Sequence, residues 1–326
     1  EFKINAGDAG SLDDFWDQAN WADAYVVTDE GGKIYLDELE ILKNASGPYS
    51  NDIPFAFCYG GQKSQDLLAK WNRTYTEKML DDKLKEHVLS YLDPITGLSV
   101  KCVAVEYLDF PIIEWTVYFK NTSATDSPII SDVQALNTTL LRYSDMQTYS
   151  LHHYVGDIGA LNSYQPSETK IGPDNRSVDF NPGPGGRPSD QVMPYFNLES
   201  NSCGVIVAIG WPGQWSVVFS YVQDNGIEVS AGQQLTNFKL HSGEEVRSPL
   251  IVLQFWQGEV IHSQNEWRRW MLAHNLPRQM GKLPNPQCSA SSHTLSEAGD
   301  KAAIECYQKA GAHLDYWWID AGWYEK

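Results

Sequence analysis

The sequence predicts a mainly β fold: a large N-terminal β-sandwich, a linker helix, and then a single βαβ unit. Three observations predict it. Short alternating apolar runs separated by turn signals fill the chain to about residue 260. A helical period begins at Ser263. The order strand, helix, strand occurs once, after Leu283. The domains expected are 1–262 for the sandwich, 263–282 for the linker helix and loop, and 283–326 for the βαβ unit.

Each element has a local reason. Tyr25–Thr28 and Lys33–Leu36 flank Asp29-Glu30-Gly31-Gly32, a hairpin signal. His87–Leu92 and Leu98–Tyr107 flank Asp93-Pro94-Ile95-Thr96-Gly97, with Pro and Gly placed for a turn. Ile112–Lys120, Gly204–Ile209, Trp215–Tyr221 and Leu250–Trp256 read as further strands. Gly172–Arg187 is rich in Pro, Gly and Asn and reads as a long loop. Ser263-Gln264-Asn265-Glu266 matches a capping box, and Trp267, Trp270, Met271 and His274 follow at helical spacing before Pro277. Trp267 and Trp270 are expected to pack on the sandwich. Cys288 lies where a short strand enters a loop. Ser296–Ala310 reads as a helix stopped by Gly311, and Leu314–Asp320 as a buried strand.

Composition narrows the function. The chain of 326 residues carries a formal net charge of -18, which disfavours nucleic acid and anionic membranes as partners. No apolar run approaches the roughly 20 residues that span a bilayer. Twelve Trp and 17 Tyr supply core filler and flat faces for stacking on sugars. Five cysteines without a CxxC pair argue against a zinc site and predict mostly buried free thiols. Adjacent His152 and His153 point to opposite faces of a strand, so no shared metal is expected, and no cofactor motif is present. Asp81-Asp82, among Lys78, Lys83, Lys85 and Glu86, reads as a solvated surface. Asn44, Asn72, Asn121, Asn137 and Asn175 head Asn-x-Ser/Thr sequons and are candidate glycosylation sites, which favours an extracellular location.

The chemistry concentrates in Asp315-Tyr316-Trp317-Trp318-Ile319-Asp320-Ala321-Gly322-Trp323. Strand alternation puts Tyr316, Trp318 and Asp320 on one face and Trp317 and Ile319 on the other. Asp315 and Asp320 fall on opposite faces and cannot form a catalytic pair. A carboxylate at the C-terminal end of a parallel strand suits a sugar hydroxyl, with Trp318 and Trp323 nearby for stacking. The same spacing also fits a solvated Asp capping a helix above core tryptophans.

The segment resembles the second barrel strand of glycoside hydrolase family 36, the α-galactosidases, which ends Asp-Asp-Gly-Trp and binds galactose hydroxyls through its acidic pair. Asp320 falls on the first Asp and Trp323 on the Trp, while Ala321 replaces the second Asp. Upstream, Gly186-Arg187-Pro188-Ser189, Met193-Pro194-Tyr195-Phe196-Asn197 and Gly204–Trp215 resemble the family's N-terminal β-supersandwich, and Trp267-Arg268-Arg269-Trp270 its linker. The family's usual Trp on the first barrel strand is missing near Cys288.

The resemblance implies that the βαβ unit opens a (β/α)8 barrel, of which this chain holds an incomplete start. It implies a retaining hydrolase whose catalytic Asp pair lies beyond Lys326, so no catalytic residue is assigned here, and a carbohydrate partner, an α-galactoside or related glycan. It further implies a homo-oligomer or assembly with other chains, with Gly172–Arg187 the loop that reaches a neighbour. The competing expectation is a catalytically inactive, secreted glycan-binding or structural β-sandwich. In either case Trp317, Ile319 and the Ser296–Ala310 helix are expected to be covered by the sandwich or another chain, or to be poorly ordered.

Overall fold

The computed structural model describes residues 25–27, 33–35, 53–140, 148–223, 226–292 and 296–319. A first hairpin pairs β1 (Tyr25–Val27) with β2 (Lys33–Tyr35), Tyr25 opposite Tyr35. Next come β3 (Ala56–Tyr59), β4 (Gln62–Lys63), helix α1 (Ser64–Leu68) and β5 (Asn72–Met79). β6 (Leu84–Leu92), β7 (Leu98–Tyr107), β8 (Ile112–Asn121) and β9 (Ile130–Leu140) form a run of long strands. β10 (Tyr149–Tyr154), β11 (Pro166–Ile171), β12 (Ser177–Phe180) and β13 (Tyr195–Ser200) follow. β14 (Cys203–Gly210), β15 (Trp215–Val222), β16 (Gly226–Gln233), β17 (Asn237–Phe238), β18 (Glu245–Arg247) and β19 (Leu250–Gln257) complete the sandwich.

The larger sheet runs β11-β10-β13-β14-β19-β8-β7-β6-β5, with β18 added on β8. The smaller runs β12-β15-β16-β9-β3-β4, with β17 added on β9. Alternation explains how they share a core. In β15, Trp215, Val217, Phe219 and Tyr221 are buried and the residues between them are not. They join Val117, Phe119, Val205, Val207 and Leu253 from the larger sheet in one cluster. Trp115 on β8 donates its indole N–H across to the Ala135 carbonyl of β9, at 2.8 Å. The Trp115 N–H thus finds a partner while its ring fills the core.

The turn chemistry read from sequence is present. Asp93 Oδ1 accepts from the Ile95 amide and Oδ2 from the Thr96 hydroxyl, and Gly97 takes φ +75° before β7. Asp81 Oδ1 accepts the Lys83 and Leu84 amides, so Asp81 shapes the β5–β6 turn as well as lying on an exposed surface. Between β13 and β14 the turn is Asn201-Ser202, both at positive φ (47° and 59°), as a two-residue hairpin demands.

The chain divides into two compact units, Glu1–Trp267 and Arg268–Lys326. The division falls inside helix α2 (Val260–Trp270), which continues as a π-turn over Met271–Asn275. The expected capping box is corrected here. α2 begins at Val260, so Ser263 sits inside its first turn, fully buried. The Ser263 hydroxyl donates to the Val260 carbonyl and accepts from the Asn197 amide at 3.1 Å. Asn197 Oδ1 in turn accepts the Trp256 indole N–H at 2.8 Å, and Gln254 Nε2 donates to the Ser263 carbonyl and to Glu266. Trp256 reaches Asn197 because it lies over Gly204, its cross-strand neighbour: a Cβ at 204 would come within 2.4 Å of the indole. Trp267 packs edge-on against Tyr195 as expected, and Trp270 is buried.

The second unit holds β20 (Ser289–Ser292), helix α3 (Glu297–Lys309) and β21 (Tyr316–Ile319). β20 and β21 pair in parallel, Ser289 opposite Tyr316, as the βαβ reading requires. Ser296 caps α3 by accepting the Gly299 amide, and Gly311 follows its C-terminus at φ +70°. Two expectations need correction. β21, expected to be a buried strand, exposes Tyr316, Trp318 and Ile319, and α3, expected to be covered by the sandwich or another chain or to be poorly ordered, contains no residue buried within this chain. The segment Gly172–Arg187 is not loop throughout: Ser177–Phe180 forms β12, paired with β15.

Two substitutions test this account. Asn197→Ala strands the Trp256 N–H and removes a donor to Ser263, so unfolding free energy should fall by about 2 kcal/mol in urea titration; a change within about 0.5 kcal/mol would mean the network carries no weight. Ser202→Gly relieves a left-handed backbone and should stabilise by about 0.5–1 kcal/mol in the same assay.

Candidate functional site

Two places on the molecule offer functional chemistry, and they lie in different units. The first is β21. Trp317 turns toward α3 and meets Tyr307 edge-on, ring centroids 6.1 Å apart. Its neighbour Trp318 is 67% exposed and Tyr316 55% exposed, as strand alternation requires for the opposite face. β21 ends at Ile319, the residue before Asp320. Asp320 and Trp323, the other two predicted sugar-binding residues, lie outside the described residues, as do Ala321 and Gly322.

At the other end of the strand, Asp315 is engaged with β20. Its Oδ2 accepts the Cys288 amide at 2.9 Å, and Oδ1 lies 3.3 Å from His313 Nε2. The backbone bond from Cys288, aided by His313, holds this carboxyl below the usual aspartate range. An ionised carboxylate committed to fixing the start of the strand is a positioning group, not a general acid.

The second place is a groove of about 420 Å³ on the sandwich, between β17 on one sheet and β18 on the other. Its walls include Trp211, Gln233, Thr236, Phe238, Glu245 and Arg247. The Arg247 guanidinium sits over the Trp211 ring, 5.8 Å from its centroid. Mostly apolar walls with a few convergent polar groups, Gln233, Thr236, Glu245 and Arg247 among them, suit a small ligand with an apolar face. In the sequence Trp211 falls only within the Gly204–Trp215 motif. Its partners come from separate strands and loops, and no local pattern links them.

The remaining candidates resolve individually. His152 Nε2 meets Glu199 at 2.7 Å, while His153 Nε2 meets Thr169 at 3.0 Å and its ring packs on Phe180. The two histidines therefore serve different contacts. Among the described residues no group of three or more His, Cys, Asp or Glu is arranged to hold a metal. All five cysteines are free. Cys102 is buried, its thiol pushed up to about 12 by desolvation, but Cys288 and Cys306 are exposed, which corrects the expectation of mostly buried thiols.

Of the sequons, Asn44 lies outside the described residues. Asn72 is exposed at the start of β5 and Asn175 is exposed beside β12. Asn137 is half-buried and donates to Ser230. Asn121 is corrected: it is 0% exposed, and its amide nitrogen donates to the carbonyls of Thr125 and Leu240. A glycan there would open the core. Among the described residues no helix is long and apolar enough to cross a membrane.

No protein-family model matches the sequence, and no curated protein matches it. Solved structures do match the fold. The galactosidase domain of the α-galactosidase–sucrose kinase AgaSK superposes with a TM-score of 0.64 at 15% identity, over 98% of this chain and 46% of that one. The fold is that of the matched part of GH36 α-galactosidases. The α-galactosidase from Lactobacillus brevis matches 100% of this chain and 43% of its own, with a TM-score of 0.61 at 12% identity. The GH36 α-galactosidase AgaB from Geobacillus stearothermophilus matches at 0.61 and 12% identity, over 85% of this chain and 40% of its own. This chain thus spans less than half the length of each of these GH36 structures.

His153 provides a pH test of the sandwich. Burial, with the charge of His152, holds its pKa below 6.5. The unfolded chain takes up this proton near pH 6.5 and the folded chain only lower, so stability is full above that value and falls as pH drops toward the folded pKa. Between about pH 7 and pH 5, the denaturation midpoint of His153→Phe should fall less steeply than that of the parent chain. Equal slopes would remove His153 from the pH response.

Proposed function

We propose that the chain is the N-terminal part of a retaining glycosidase acting on α-linked glycosides. In this reading the two-sheet sandwich is the scaffold, β21 delivers sugar-binding groups, and the bond-cleaving carboxylate pair is supplied outside these 326 residues. The observation that carries it is the parallel β20–α3–β21 unit, whose last strand presents Trp318 on an open face and leads directly into Asp320-Ala321-Gly322-Trp323. Parallel strands are ordinarily buried on both faces, so the exposed Trp318, Ile319 and α3 fit a unit that packs against further strands and helices of a barrel. The likeness of fold to GH36 α-galactosidases over nearly the whole chain supports the same assignment.

The chemistry follows from the residue types. Asp320 accepts hydrogen bonds from sugar hydroxyls, and Trp323 and Trp318 offer apolar faces to the ring. Ala321 leaves one acceptor fewer than the Asp-Asp pattern, which admits an α-linked sugar other than galactose. Retaining hydrolysis uses two carboxyls about 5–5.5 Å apart across the bond. Asp315 is held against β20 and supplies neither. Exposed sequons at Asn72 and Asn175 support an extracellular protein.

The Trp211–Arg247 groove favours a second reading, a non-hydrolytic glycan-binding sandwich. One set of measurements separates the two. The 326-residue chain should show no turnover of nitrophenyl α-galactoside, and clear turnover would overturn the placement of the catalytic pair. Calorimetric titration with α-galactosides and α-glucosides should lose affinity at least about tenfold in Asp320→Ala and remain unchanged in Trp211→Ala. The opposite pattern would establish the groove as the glycan site.

A further inference from the structure

β5 closes one end of the larger sheet, and among the described residues no strand pairs with its outer side. All eight of its residues are exposed. Natural edge strands are usually blunted by charged side chains, proline, a bulge or shortness. β5 carries the charges Arg73, Glu77 and Lys78, so only a partner of matching charge pattern can add to it, but it has no proline and pairs with β6 in unbroken register from Asn72 opposite Leu92 to Met79 opposite Lys85. Tyr75, 49% exposed, and Met79, 53% exposed, stand on the same open face.

The sequence of this edge has a centre. Around Tyr75 run Arg73-Thr74-Tyr75-Thr76-Glu77: threonine one step to each side, opposite charges two steps away. A second copy of the strand brought up antiparallel about a two-fold axis at Tyr75 sets Tyr75 against Tyr75. It sets Thr74 against Thr76 and Arg73 against Glu77, the last two pairs each occurring twice. Aromatic, Thr–Thr and opposite-charge neighbours are the pairs that stabilise antiparallel strands. Slipping the copy so that Tyr75 faces Thr76 would set Arg73 against Lys78, charge against like charge. Glu77 is already held in place by Lys85 Nζ at 3.1 Å and by the Tyr75 hydroxyl at 3.0 Å.

We propose that β5 is a self-complementary dimer edge, joining two copies of this chain into one continuous sheet through a two-fold centred on Tyr75. The interface is isologous, so each copy contributes both halves of the charge pattern. It must hold against the repulsion between two chains of net charge -18, which makes association stronger once salt screens the long-range field. The proposal is independent of the glycosidase reading.

Sedimentation velocity of the 326-residue chain from about 1 to about 100 µM, at about 0.15 M salt, should show a concentration-dependent shift from monomer to dimer. Arg73→Glu and Glu77→Arg should each weaken the dimer at least about tenfold, because every 73–77 pair becomes like-charged. An equimolar mixture of the two variants should dimerise again, since each cross pair is then opposite in charge. Far-UV circular dichroism confirms that each variant is folded. On the unmodified chain, hydrogen exchange should show extra protection of β5 amides at the high concentration only. A wild type that stays monomeric over this range, a dimer indifferent to both single variants, or a mixture that fails to associate would each overturn the proposal.

Discussion

The side chain of Asn197 is the point on which the end of the sandwich depends. One amide oxygen holds the Trp256 indole and one amide nitrogen holds the Ser263 hydroxyl, all of it away from water. Gln254 completes the arrangement by donating to the Ser263 carbonyl. β13, β19 and the first turn of α2 are thereby fixed by directional bonds rather than by apolar contact alone. Buried polar groups tolerate few alternative arrangements, because each broken bond leaves an uncompensated donor or acceptor. The helix that opens the passage to the second unit therefore starts in one place.

Much of this was legible in the sequence, and the failures have physical causes. β7 runs from Leu98 to Tyr107 as read, because Asp93 and Gly97 punctuate one end and alternation runs clean to the other. β9 was not read. Its pairing with β3 and β16 is interrupted by register shifts, Asp132 sits at φ 50°, and alternation breaks where the ladder does. β12 hid inside a Pro/Gly-rich stretch because four residues, exposed on alternate positions, carry too weak a period. Ser263 misled for a different reason. Its sequence context is that of a helix cap, but the partner that decides its role is Asn197, which no local window contains.

The candidate sites show the same division. Which face of β21 each aromatic takes followed from alternation alone, and the Trp317–Tyr307 contact agrees. The Trp211 groove is assembled from two sheets, with Arg247 and Gln233 arriving on different strands, so it exists only once the sandwich has closed. Structures at 12–15% identity share this architecture.

Gly204 bears on how this protein can change over generations. Its missing side chain is the space the Trp256 indole occupies, and the Leu198 carbonyl closes the other side at 2.3 Å from any added carbon. A single methyl group there, the smallest alteration the genetic code commonly makes at a glycine, would lift the indole and slacken a helix far along the chain. Shrinking Trp256 could not compensate, because the second obstacle is backbone. The position is closed to inherited variation by geometry on both sides, and a lineage that lost the glycine would have to find another way to seat α2.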